Sequence, residues 1–220
     1  MWDESTVLML LQGVGESLYM TLMSTLFAYI IGLPAGIFLV TSSKDGIRPR
    51  PWLFKTLDVI VNLTRSIPFL ILLVAIIPFT RLITGTTIGS TATVVPLTLS
   101  AAPFVARLVE SSLKEVDAGV VEAAQSMGAS NSQIVWKVLL PESRPSLFIG
   151  GAIAITTILG YSAMAGFVGG GGLGTIAINY GYYRYQNGIM LVTVVLLVLI
   201  VQVFQGAGMK IAKVLDRRKQ

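Results

Sequence analysis

The 220-residue sequence contains no cysteine and no histidine. Without thiols there is no disulfide framework and no thiolate nucleophile. Without imidazole, the usual zinc ligand sets and the histidine-activated serine of a hydrolase are excluded, and no metal site is expected. Charge is also scarce: Asp, Glu, Lys and Arg make up 12% of the chain, where a soluble domain carries about 25%. The space is filled by hydrophobic residues, at 54%, and the fold class this dictates is an all-α integral membrane protein. The net charge of +5 does not imply nucleic acid as a partner. The basic residues flank apolar runs instead of forming a patch interleaved with exposed aromatics, and membrane topology accounts for them.

In chain order, residues 1–16 carry Asp3, Glu4 and Glu16 but no Lys or Arg, so the first apolar run lacks the basic flank of a cleavable signal peptide and is expected to be retained. Five membrane spans are predicted, over residues 17–40, 57–82, 92–109, 146–167 and 188–209, each long enough or nearly so for the roughly 30 Å hydrocarbon core. Pro34 and two glycines in the first span read as tolerated bends. In the second, Arg65, about one turn and a half past the basic loop, can snorkel to the headgroups or pair with an acid of the soluble-looking island 122–141 at the inner end of the bundle. In the third, Arg107 and Glu110 are three apart and form an ion pair on one helix face. Gly150, Gly151, Ala152 and Ala154 in the fourth form a small-residue face suited to close helix contact. Residues 166–186, rich in Gly and Tyr, read as an external segment. Thirteen basic residues fall on one side of this arrangement, including Lys44, Arg48, Arg50 and Lys55 in the first loop and Arg217, Arg218 and Lys219 in the tail. Arg81 and Arg184 fall on the other side. The asymmetry predicts an outside N-terminus and an inside C-terminus.

Several chemistries are ruled out by pattern. Gly169, Gly171 and Gly174 match G-x-G-x-x-G, but no strand precedes them and no βαβ unit surrounds them. Thr175 follows a glycine with no lysine before it, so the chain has no Walker A loop and no such route to ATP hydrolysis. Ser162 sits in half of a nucleophile elbow without a base. All eleven acids lie at span ends or in loops, which leaves a proton- or ion-coupled carrier without its midplane carboxylate. The chain is therefore expected not to be an enzyme, and its energy source must lie on another chain.

The one soluble-looking stretch is 122–141, EAAQSMGASNSQIVWKVLLP. It reads as two short helices. Asp117 N-caps the first and Gly128 closes it at positive φ, Ser130 and Gln133 form a capping box for the second, and Pro141 ends that one. Val116, Val120, Val121, Ala124 and Met127, then Ile134, Val135 and Val138, recur at helical spacing, so each short helix has an apolar face that needs a partner.

The pattern Glu122-Ala123-Ala124, Gly128, then Leu140-Pro141 resembles the cytoplasmic signature loop of the membrane subunits of bacterial ABC importers. Val138 stands where that family has isoleucine, a departure that keeps a β-branched aliphatic. The resemblance extends in layout over residues 17–214. The five-span size, Arg65 to Phe69 as RSIPF, and the run YSAMAGFVGGGGLG are most similar to the methionine-uptake branch. It implies a multi-pass protein of the bacterial cytoplasmic (inner) membrane in which two copies of the chain form the pathway. A separate ABC ATPase, in two copies, would dock on the loop and bind ATP and Mg, with no cofactor on this chain. An external binding protein or lipoprotein would deliver substrate, and lipid would surround the whole. The cargo implied is methionine, L or D, or an analogue. Tyr161 and Met164, three apart where they interrupt a small-residue helix, are the candidate path residues, with packing against neighbouring spans as the other role open to them. Alternatives left open are a permease for another amino acid or small solute, a membrane scaffold that docks a soluble partner through the same loop, and a channel or secondary carrier.

Overall fold

The computed structural model describes residues 3–215, and the tail residues Arg217, Arg218 and Lys219 lie outside them. Eleven α-helices are joined by turns of 3₁₀ and π geometry among these residues. The long ones are α1 (Glu4–Ser42), α5 (Ser90–Lys114), α9 (Arg144–Met164) and α11 (Asn187–Leu215). Shorter ones are α2 (Pro51–Arg65), α3 (Phe69–Ala75), α4 (Ile77–Thr84), α6 (Ala118–Ser126), α7 (Asn131–Ile134), α8 (Leu140–Glu142) and α10 (Gly172–Ile176).

Four helices are long and apolar enough to cross a membrane, and a fifth span exists if α2 and α3 are taken together. α1 has 39 residues, which at 1.5 Å per residue is about 58 Å, so it extends well past a hydrocarbon core on the N-terminal side of the predicted 17–40. Its start is fixed by Asp3. The Thr6 hydroxyl and amide donate to Asp3 Oδ1 at 2.6 and 3.0 Å, and these bonds hold that carboxyl down to about 2.

The predicted second span is not one helix. α2 stops at Arg65 and α3 starts at Phe69, with Pro68 extended between them at φ −58° and ψ 135°. Proline cannot donate to the helical ladder and drives the preceding residue out of α geometry, so the break falls at residues 66–68.

The chain divides into two compact units. One is built from the N-terminal part up to Phe27, Ile67–Ala101 and Ala154–Gln205. The other comprises Ala28–Ser66, Ala102–Ile153 and the chain from Gly206 onward. In the first, Leu10, Leu173, Ile176 and Ile189 form a buried cluster. The segment 166–186 is therefore not a simple external loop, because α10 lies buried in this unit. Glu16 accepts the Gly172 amide at 2.6 Å and the Ser17 hydroxyl accepts that of Leu173 at 2.9 Å. A Cβ on Gly166 would sit 2.6 Å from the Gly174 carbonyl oxygen, so these glycines permit backbone contact where a side chain would separate the segments.

In the second unit Leu39, Val61 and Ala106 form the core, with Ala35, Phe54 and Leu57 packed on it. Gly32 and Gly36 are not bends. A Cβ at either would lie 2.7 Å from a carbonyl oxygen of α5, that of Ala102 or Ala106, so G-x-x-x-G here lets α1 meet α5 backbone to backbone. The small face of α9 behaves as its composition predicts: Gly150, Ala152 and Ala154 are buried.

Candidate functional site

The soluble-looking island 122–141 is reached from the end of α5 at Lys114 through residues 115–121. Val116 leads to Asp117, whose Oδ1 accepts the Gly119 amide at 2.7 Å and caps α6. At the other end Gly128 has φ +77°. Its amide reaches Gln125 O at 2.9 Å, and the Ala129 amide reaches Ala124 O at 3.1 Å. Those two bonds form a Schellman motif, which satisfies carbonyls the helix end leaves open. Ser130 and Gln133 then exchange the two bonds of a capping box, at 3.3 and 2.8 Å.

Pro141 does not end the second helix. The chain passes from α7 through a π-turn, Val135–Leu139, into α8 with Pro141 in its first turn. The wider turn re-registers the backbone just before the residue that has no N–H to give. The loop is closed at its base, because the Ser146 hydroxyl lies 3.0 Å from Ser112 Oγ and 2.9 Å from Glu115 Oε1.

The apolar face splits in two. Ala124, Ile134, Val135 and Leu139 are buried and fasten the island to its unit. Val120 and Met127 are exposed, Met127 by 83%, and so is the Glu122–Ala123 pair. Val138, Leu140 and Pro141 are half-buried. Glu122 also lines a groove of about 530 Å³ beside Asp45, Lys114, Val121 and Leu139. The arrangement presents a short, capped helix whose outer side is apolar with one carboxylate, on a rigid base.

The charges expected at the inner end of the spans pair differently from expectation. Arg107 bonds Glu110 at 2.5 Å as predicted, and it also pairs with Asp58 of α2 and reaches Asn62 Oδ1 at 2.9 Å. Lys114 completes the chain to Glu110 at 2.7 Å. Asp58 was missed because its neighbourhood reads as ordinary span. Arg65 is exposed and makes no ion pair among the described residues, so its pairing with an island acid is corrected. With α2 starting at Pro51, Arg65 lies fourteen residues on, about 21 Å along the axis, and not a turn and a half from the loop.

Tyr161 and Met164 have separate surroundings. The Tyr161 ring stacks on Phe69 at 4.9 Å and 6°, so the residue is held by packing against α3, whereas Met164 is 45% exposed. Ser162 is buried and its hydroxyl donates to Leu159 O at 2.8 Å. Phe69 was not singled out from the sequence as a site residue, although the proline break before it marked the place.

Helices long and apolar enough to cross a membrane, together with a braced and capped polar loop, fit the membrane component of a transport system. Consistent with this, residues 32–219 match the family described as binding-protein-dependent transport system inner membrane component. The chain belongs to that family, and it is a multi-pass inner-membrane component of a transport system. It is similar to the "Probable D-methionine transport system permease protein MetI" of Vibrio cholerae, with 50% identity over 96% of this chain and 93% of that one. The D-methionine transport system permease protein MetI of Escherichia coli is 49% identical over 74% of this chain and 76% of its own length. Among solved structures, an inward-facing conformation of the MetNI methionine ABC transporter contains a chain that aligns with a TM-score of 0.97 and 48% identity. The alignment covers 98% of this chain and all of that one. An amino acid ABC transporter at 19% identity, with a TM-score of 0.71, shares the fold.

Proposed function

We propose that this chain is the membrane-spanning subunit of an ATP-driven importer for methionine, L or D, or close analogues. The observation that carries this is likeness over nearly the whole chain, at 48% identity, to a chain of the MetNI methionine ABC transporter. The chain works as a pair with a second copy of itself. ATP and Mg bind on a separate ATPase, present twice, that docks on α6 through Val120, Met127 and the Glu122 groove. An external binding protein or lipoprotein supplies substrate. The coupling segment is 113–141, with Glu122, Ala123, Ala124, Gly128, Val138, Leu140 and Pro141 as its residues.

In this reading the chain has five spans, with the N-terminus outside and the C-terminus inside, and the basic loop at Lys44 to Lys55 supports that orientation. A cysteine near Gly46, replacing the exposed Asp45, is expected to stay unlabelled by an impermeant thiol reagent in intact cells, and one replacing Ser5 to be labelled. The reverse pattern contradicts the orientation. The chain has no native cysteine, so the background is clean.

Cargo passes Met164, the exposed member of the candidate pair, while Tyr161 shapes the wall through its stack on Phe69. Met164→Ala is expected to change the methionine concentration for half-maximal uptake about threefold or more, the scale of one lost thioether contact. Tyr161→Ala should change it as well and also lower thermal stability, since it removes a packed ring. Uptake kinetics in vesicles with the ATPase and binding protein decide. Unchanged values in both variants remove these residues from the path.

A further inference from the structure

A second groove, of about 330 Å³, lies on the same unit between the end of α1, the loop 43–50, the start of α2 and the passage from α7 into the π-turn; Ser132, Val135 and Trp136 belong to the segment 113–141, but none of the coupling residues named above lines it. Its apolar wall is Ile37, Phe38, Leu53 and Val135, and its rim carries Arg48, Arg50, Ser132 and Trp136. Both arginines are exposed, and neither takes part in an ion pair among the described residues. Their backbone is pinned, because the Arg48 amide donates to Thr41 O at 3.0 Å and the Arg50 amide to Ser42 O at 3.1 Å. Two arginines are thus anchored by their backbone beside one apolar slot, and no carboxylate among the described residues forms an ion pair with either.

We propose that this groove binds an anionic phospholipid of the leaflet on the basic side, a reading that rests on the orientation given above. Guanidinium forks match phosphate oxygens in a bidentate way that a lysine cannot reproduce. The Ser132 hydroxyl adds a neutral donor, and the apolar wall takes the first carbons of an acyl chain. Trp136, 66% exposed on the rim, suits headgroup depth, where indole rings concentrate. A soluble anion would use the arginines but leave the wall wet. A lipid uses both, and clusters of basic residues just inside a span attract anionic lipid.

Trp136 supplies the readout. A Trp2→Phe/Trp52→Phe variant leaves it the sole tryptophan. In vesicles of phosphatidylcholine doped with phosphatidylglycerol, brominated acyl chains are placed on one lipid or the other and quenching is followed. The expected result is half-saturation at about tenfold lower mole fraction for brominated phosphatidylglycerol than for brominated phosphatidylcholine. Arg48→Gln/Arg50→Gln should abolish that preference, and Arg48→Lys/Arg50→Lys should restore part of it, which separates lost charge from lost fold. Equal quenching by the two lipids overturns the proposal. So does a preference erased by millimolar inorganic phosphate, which assigns the site to a soluble anion, or one erased when the ATPase assembles, which assigns it to protein. Lipid doped into both leaflets reports the preference whatever the orientation, so failure here is distinct from failure of the cysteine labelling.

Discussion

Replacing Gly128 by leucine is expected to release the ATPase, or to uncouple its hydrolysis from uptake, while leaving the membrane helices folded. Gly128 holds φ +77°, where a bulky L-residue pays on the order of 1–2 kcal/mol. Nothing lies within 4 Å of a Cβ built there, so the penalty is conformational and not a clash. The chain can relieve it only by giving up the bonds from Gly128 to Gln125 and from Ala129 to Ala124, which re-aims α7 relative to α6. Gly128→Asn is the control, because asparagine visits the left-handed region and should keep most coupling. Pull-down of the ATPase together with uptake reads the result. Coupled uptake that survives Gly128→Leu at ordinary ATPase affinity rules out the island as the docking element.

The second large effect is one of stability. Arg107→Met strips the shared partner from Asp58 and Glu110, and the Glu110 side chain is only 6% exposed. Removing one member of a buried ion pair costs about 3–5 kcal/mol when the other is left uncompensated. Lys114 remains on Glu110 at 2.7 Å, which moves the expectation to the low end, about 3 kcal/mol. Arg65→Met, by contrast, removes an exposed group that makes no ion pair among the described residues and should change stability by less than about 0.5 kcal/mol. Unfolding of the purified protein in detergent compares them. Equal losses in the two variants contradict the bracing of α2 against α5 through Arg107. A Asp58→Asn/Arg107→Met double variant should lose less than the two singles combined, as coupled partners do.

These two residues also mark what a sequence reader can and cannot see. The island was legible nearly atom by atom, because caps are local: Asp117, Gly128, Ser130 and Gln133 each act within a few residues of their own position. Arg107 with Glu110 was legible for the same reason, while Asp58 was not, being 49 residues away. Glycine misled twice. At Gly32 and Gly36 it was taken as a bend, and at Gly166 only as the start of an external segment, but its use in all three is to let two backbones touch, which no local pattern reveals. The π-turn at Val135–Leu139 was hidden by Pro141, whose usual effect is to stop a helix. The break before Phe69 was written plainly in Pro68 but masked by the apolar run on both sides. Tyr161 and Met164 were correctly placed on one helix, and only the contacts tell the packed ring from the exposed thioether.

Reconstitution of the chain with its ATPase and binding protein in sealed vesicles, with labelled methionine supplied on the binding-protein side, tests the central claim most directly. The expected result is accumulation of methionine that requires ATP and Mg on the ATPase side and is competed by an excess of unlabelled methionine, L or D. Accumulation that proceeds equally without ATP, or a complex that carries another solute and ignores methionine, contradicts it.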